Sequence, residues 1–175
     1  MQMLHPKLRA ADVWVFATPL YTWGVAGPLK TLLDRSVPLV QPFFDLRGGH
    51  CHHPLRPGVA VSKIVLVSNC GFWEMDNFTP LVNQVQGLFH DQFVGALLRP
   101  HGPLFAAMLE KGAPVGDVLE AAQQAGQELV RDGRLLPDTL NKVGRELMPL
   151  EDCIKVINQS FRQALDKMDA KAKAA

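Results

Sequence analysis

An α/β fold built on a parallel sheet is what the 175-residue chain predicts, on three observations. Short apolar runs stand at 12–17 (DVWVFA), 63–69 (KIVLVSN) and 93–99 (FVGALLR). They are close to continuously apolar rather than alternating, as befits strands covered on both faces. A helical period follows each one, so strand and helix alternate along the chain.

The elements follow in order. After the first run, Pro28 suits the first turn of a helix, and Leu29, Leu32 and Leu33 give that helix an apolar stripe ending near Asp34 and Arg35. Residues 36–62 hold four prolines, the pair Gly48-Gly49 and clustered histidines, and read as a long excursion with an irregular hairpin. The run 63–69 enters CGFWEMDN, and a helix then carries Phe78, Leu81, Val82, Val85, Leu88 and Phe89 on one face. The third run leads to a short helix around 103–111. Over 115–132, Val115, Val118, Leu119, Ala122, Leu129 and Val130 recur at helical spacing, with Gly133 as the stop. Pro137 opens another short helix. The last, long helix is expected to turn Ile154, Ile157, Phe161 and Leu165 inward with Cys153 in the core, while the tail 171–175 frays. No internal repeat is present, and 1–175 reads as a single domain.

Composition narrows the function. Eighteen basic residues against seventeen acidic ones leave no field to attract nucleic acid or an anionic membrane. The opening MQMLHPKLRAADV has no apolar signal-peptide core, and no apolar run approaches membrane-spanning length. Three cysteines, Cys51, Cys70 and Cys153, form no spaced framework, so a cytoplasmic protein is expected.

In open α/β sheets the ligand crevice lies beyond the carboxyl ends of the strands. Two loops fall there: Thr18–Gly24 (Thr18, Pro19, Leu20, Tyr21, Thr22, Trp23, Gly24) and the stretch from Asn69 to Asn77, beginning Asn69, Cys70, Gly71, Phe72, Trp73. Gly24 and Gly71 would let a flat ring approach the backbone, and Tyr21, Trp23, Phe72 and Trp73 could stack on it. The same rings could simply pack a sheet end.

With those residues in view, the chain resembles the flavodoxin-like NAD(P)H-dependent FMN reductases, a group that includes iron–sulfur flavoproteins. ADVWVFATPLYTWGVAGPLKTLLDR is similar to that family's strand, Pro-x-Tyr flavin loop and following helix. KIVLVSNCGFWE resembles its next strand and Cys-Gly loop, and AAQQAGQELVRDGRL its penultimate helical region. The resemblance implies a flavodoxin-like three-layer sandwich, FMN and NAD(P)H as cofactors, and hydride transfer through the flavin to a small-molecule or redox-protein acceptor. It implies that Thr18, Pro19, Leu20, Tyr21 and Gly24 line the isoalloxazine, with Cys70, Gly71 and Phe72 at its pyrimidine side. No catalytic acid, base or nucleophile is needed from the chain.

The departure is at the front. No Ser/Thr-rich phosphate loop precedes Asp12 and no cysteine precedes Cys51, so the fold is expected to be N-terminally truncated, with 12–17 as an open strand edge. Such an edge invites pairing with another chain. A homo-oligomer is therefore expected, and a non-catalytic module that oligomerises through this edge is the alternative function.

Other residues carry weaker signals. Cys70 lacks the glycine two positions earlier that a nucleophile elbow would show. The adjacent His50, Cys51, His52 and His53 cannot all reach one tetrahedral ion, so no metal is expected there; a solvated loop over the flavin or at a dimer contact is the reading. Lys30, Asp34 and Arg35 suit helix-end pairing. His90 and His101 read as surface or strand-end residues, and Arg99 with His101 could meet a nicotinamide phosphate.

Overall fold

A computed structural model describes residues 2–174. In chain order the elements are α1 (His5–Ala10), β1 (Val13–Pro19), α2 (Gly27–Asp34), β2 (Asp45–Arg47), β3 (His50–His52), β4 (Lys63–Asn69), α3 (Thr79–Phe89), β5 (Phe93–Arg99), α4 (Gly102–Glu110), α5 (Gly116–Asp132), α6 (Pro137–Gly144) and α7 (Leu150–Ala174), with short 3₁₀ turns between some of them.

The three apolar runs form one parallel sheet in the order β1-β4-β5. Pro19 pairs with Asn69 and Asn69 with Arg99, so the carboxyl ends of all three strands finish level. Beside β1 no further strand lies among the described residues, so its outer edge is open. The excursion does contain a hairpin, β2 with β3. Gly48 and Gly49 turn it at φ 55° and 82°, the left-handed pair that a two-residue hairpin loop requires.

Helices flank the sheet on both sides, as the flavodoxin-like expectation demands. On one face Phe16, Ile64, Leu66, Cys70, Phe78, Leu81 and Val85 are buried, closed over by Leu29 and Leu33 of α2 and by Phe89 of α3. Trp14 and Phe16 pack their rings against Phe89 at centroid distances of 6.1 and 5.5 Å. On the other face Val65 meets Ala125 and Leu129 of α5, Leu135, and Leu140 of α6. This second layer reaches β1 at Val13 but leaves Val15 55% exposed.

Three helical faces differ from their sequence reading. On α3, Leu88 points outward. On α5, Leu119 and Val130 are exposed while Glu128 is buried, because the layer that α5 contacts includes polar groups of α6 and its approach. Glu128 accepts hydrogen bonds from Thr139 Oγ1 (2.6 Å), Gln124 Nε2 (2.8 Å) and the Leu136 N–H (3.0 Å). The Thr139 hydroxyl above all holds its carboxyl below the ordinary value. On α7, Cys153 is buried as expected, but Ile154, Phe161 and Leu165 are exposed and Ile157 is only half-buried. Nothing among the described residues covers that stripe. The helix runs to Ala174, where a frayed tail was expected from 171, and residue 175 lies outside the described residues.

Candidate functional site

The level strand ends place the two loops side by side. Leu20 N–H donates to Asn69 O (2.8 Å), the stitch that joins the first loop to the second. Beyond it the chain makes a tight turn, in which Tyr21 and Gly24 exchange backbone hydrogen bonds of 3.2 and 3.0 Å. The two residues at its tip, Thr22 and Trp23, have φ of 50° and 57°. Neither is glycine, and each left-handed residue costs about 1–2 kcal/mol. The turn is held from inside by Thr18, which is buried; its Oγ1 accepts the Ala26 N–H at 3.0 Å. Thr18 thus braces the loop and offers no surface to a ligand.

What the strained turn achieves is the position of Trp23. Its indole lies nearly parallel to Phe72 of the second loop, with centroids 6.2 Å apart and 16° between planes. Trp23 Nε1 donates to Asn77 Oδ1 (3.3 Å), which ties the ring to the segment leading into α3. Tyr21, Trp23 and Phe72 are all more than half exposed, at 64, 51 and 57%. Three large aromatic faces therefore stand in solvent at one end of the sheet. A Cβ on Gly71 would meet nothing within 4 Å, so the backbone there is open to a close neighbour. Among the described residues, the N–H groups of Thr22, Trp23, Gly71 and Phe72 donate to no backbone carbonyl.

The second loop is built differently. Cys70 is buried in the core, its thiol directed to Phe72 O at 3.6 Å and pushed up in pKa by burial. Only its backbone can border the crevice, so the expected contact of Cys70 with a ring is not made by its side chain. A nucleophilic role finds no support either: among the described residues the Cys70 thiol bonds to the Phe72 carbonyl and to no imidazole. His101 is 1% exposed rather than a surface residue. It caps α4 in a left-handed conformation (φ 53°), packs edge-on against Trp73 at 4.1 Å, and places Nδ1 3.8 Å from Cys153 Sγ. Burial holds its pKa below the ordinary value.

Arg99 is also absorbed by structure. It is 8% exposed, and its guanidinium donates to three carbonyls: Pro100 (2.7 Å), Val143 (2.6 Å) and Arg145 (2.6 Å). Burial lowers its pKa to about 10. Three of its five N–H donors are so engaged and the group is buried, which removes it from the surface a nucleotide phosphate would meet; the sequence pattern gave no sign of this, because the acceptors in Val143 and Arg145 lie 44 and 46 residues away.

The histidine-rich hairpin does not lie over the loops. His52 contacts His90 (centroids 4.2 Å), which precedes β5, at the opposite end of the sheet from Arg99. A seven-residue strand puts these ends about 20 Å apart. His53 Nδ1 donates to Phe43 O (2.9 Å). Among the described residues no three His, Cys, Asp or Glu side chains converge as a metal site. Lys30 pairs with Asp34 at 2.6 Å on the exposed side of α2. A larger concavity of about 450 Å³ runs along α5 between Glu120 and Arg131. Amides and carboxylates line it, and it lacks the aromatic wall that a flat ring needs.

Fold and site together define a flavodoxin-like α/β protein with an aromatic ledge at the carboxyl ends of its strands. Residues 1–62 match the family of NADPH-dependent FMN reductases. The match contains β1, the first loop and α2; the second loop lies outside it and rests on geometry. The chain is also 32% identical over 69 residues to an FMN-dependent NADH:quinone oxidoreductase of Colwellia psychrerythraea. That similarity covers 39% of this chain and 31% of the relative. Both matches name FMN and a reduced nicotinamide, in agreement with the resemblance read from the loops. No helix among the described residues is long and apolar enough to cross a membrane.

Proposed function

We propose that the chain is the flavin-ring-binding part of an NAD(P)H-dependent FMN oxidoreductase, folded as one domain and acting as a homo-oligomer in the cytoplasm. The observation that carries the reading is the left-handed Thr22-Trp23 turn. A chain bears that strain where the surroundings over-determine it, and here its product is an exposed indole aligned with Phe72. Tyr21, Trp23 and Phe72 supply faces for a planar ring. Pro19, Leu20 and Gly24 shape the floor of the first loop, and Asn69 and Gly71 that of the second. The free N–H groups of Thr22, Trp23, Gly71 and Phe72 would meet ring carbonyls, orienting the ring and taking the place of water. Bound FMN would accept hydride from the nicotinamide and pass electrons on; the protein's part is binding and orientation. A quinone acceptor is suggested by the Colwellia relative. The three free thiols fit a reducing compartment.

Only the ring is provided for by these loops. Among the described residues before Asp12 none forms a Ser/Thr-rich loop that would present N–H groups to a doubly charged phosphate, so the titration below reads the ring contacts of these residues alone. The test is titration of FMN and of riboflavin into the protein, followed by flavin fluorescence. Quenching of both ligands, with affinities within about threefold of each other, is the expected result, because a phosphate with no partner adds little. Absence of quenching with either flavin at millimolar protein overturns the reading.

The alternative, a non-catalytic module that oligomerises through β1, is favoured by one observation: its edge is unpaired and Val15 is exposed. Flavin-free oligomers that dissociate on Val15→Lys would favour it.

A further inference from the structure

We infer that His52 and His90, joined by His50, bind a divalent transition-metal ion of the zinc class, which pins the β2–β3 hairpin to the body of the fold. Four of the six histidines in the chain, His50, His52, His53 and His90, stand in this corner. Adjacent residues of a strand cannot share an ion, but alternate ones can, because their side chains leave the same face. His50 and His52 of β3 are such a pair, with Cα atoms about 6.6 Å apart. Cys51 leaves the other face, opposite Leu46, and His53 is turned away onto the Phe43 carbonyl. A further ligand has to come from outside the hairpin, and the body supplies it. His90 sets its ring edge-on to His52, with centroids 4.2 Å apart. As the rings stand, no three donors converge among the described residues. Two imidazoles on one tetrahedral ion hold their centroids about 5 Å apart, so these two rings need part by only about 1 Å. His50 is exposed, and a change of rotamer turns it toward them.

The backbone at His90 is a second, independent sign. It closes α3 at φ 45° and ψ −119°, a combination that residues with a Cβ rarely adopt. A glycine would end the helix there without strain, since the bond that the position makes, from its N–H to Gln86 O, needs no side chain. The strain is instead borne by a residue whose ring reaches the hairpin. Charge on the same face does not oppose an ion. Asp45 stands across from His52 and Arg47 across from His50, and the two pair with each other at 3.1 Å. Imidazole donors select zinc, nickel and copper over magnesium and calcium. Three of them leave the fourth tetrahedral position to water. The site lies at the opposite end of the sheet from the aromatic ledge and does not rest on the flavin reading.

Isothermal titration of the full chain with zinc chloride tests the inference. The expected result is one ion per chain with a micromolar Kd. His52→Ala and, separately, His90→Ala weaken binding at least about tenfold, since even an outer-shell partner of a metal is worth that much. His50→Ala weakens it less, while His53→Ala and Cys51→Ser leave it unchanged. Thermal unfolding gives a second readout. Without metal, His90→Gly melts above wild type, because the strain is gone; zinc at about a hundredfold excess over Kd raises the wild-type Tm by about 5 °C and leaves that of His90→Gly in place. No binding at a millimolar excess of zinc overturns the inference. Binding indifferent to His90→Ala overturns it as well, because the hairpin alone would then hold the ion. So does a loss in Cys51→Ser equal to that in His52→Ala, which would put the ion on the other face.

Discussion

The loops after β1 and β4 stand side by side at the same end of the sheet, yet they are held in opposite ways. The first is a short turn that spends backbone strain at Thr22 and Trp23 to put its largest ring in solvent. The second sinks Cys70 into the core and leaves Phe72 outside, and the strand end next to it is fixed by the buried Arg99 and His101. One loop presents; the other anchors. In the first, then, changes should alter binding with little effect on stability, while around the second they should do the reverse.

The largest expected effect breaks the anchor. Arg99→Ala strands the carbonyls of Pro100, Val143 and Arg145 and leaves a void, which should cost about 3 kcal/mol of stability in urea unfolding. A loss under 1 kcal/mol would mean that the clamp is not structural. Trp23→Ala should leave the midpoint within about 0.5 kcal/mol of wild type and weaken flavin binding about tenfold, the worth of one stacked ring. An unchanged flavin affinity would remove Trp23 from the ledge. Thr22→Gly should stabilise by up to about 1 kcal/mol, because the left-handed turn is no longer strained. A destabilised variant would show that the turn geometry is not the one described.

The smallest effect is a pH slope. Glu128 has its pKa depressed in the folded state, so its contribution is complete above the ordinary value of 4.5 and fades as pH falls through the lower folded value. Glu128→Gln should flatten that acid limb, and it turns an amide N–H₂ toward one of the two donors, Thr139 or Leu136, while its oxygen keeps the other. An acid limb as steep as wild type, measured by thermal unfolding between pH 3 and about 5, would assign the slope to other carboxylates.

Much of this was legible in the sequence. The spans 63–69 and 93–99 coincide with β4 and β5, and the first run differs from β1 only at its ends, because apolar runs between turn signals need no tertiary information. The two loops were readable for the same reason: rings and glycines that follow a strand must lie at its carboxyl end. Which of their side chains face outward was not readable. Thr18 and Cys70 look like their neighbours in sequence, and only packing against Ala26 and the α3 face turns them inward. Periodicity misled on α5 and α7, since an apolar stripe says which face would be covered, not whether a cover exists. Burial of Glu128 depends on donors 8 and 11 residues downstream, and the Arg99 clamp on carbonyls still farther away.

The central claim is that Trp23 and Phe72 form the surface on which a flavin ring lies. The three indole N–H resonances of the chain report on it directly. Trp14 donates to Leu8 O within the fold, Trp73 abuts His101, and Trp23 donates to Asn77 on the ledge. Titration with FMN, followed by two-dimensional ¹H–¹⁵N spectra, should shift the Trp23 indole saturably and most strongly, Trp73 less, and Trp14 not at all. A Trp23 resonance that stays in place while flavin binds, or three indoles that shift alike, would contradict the account.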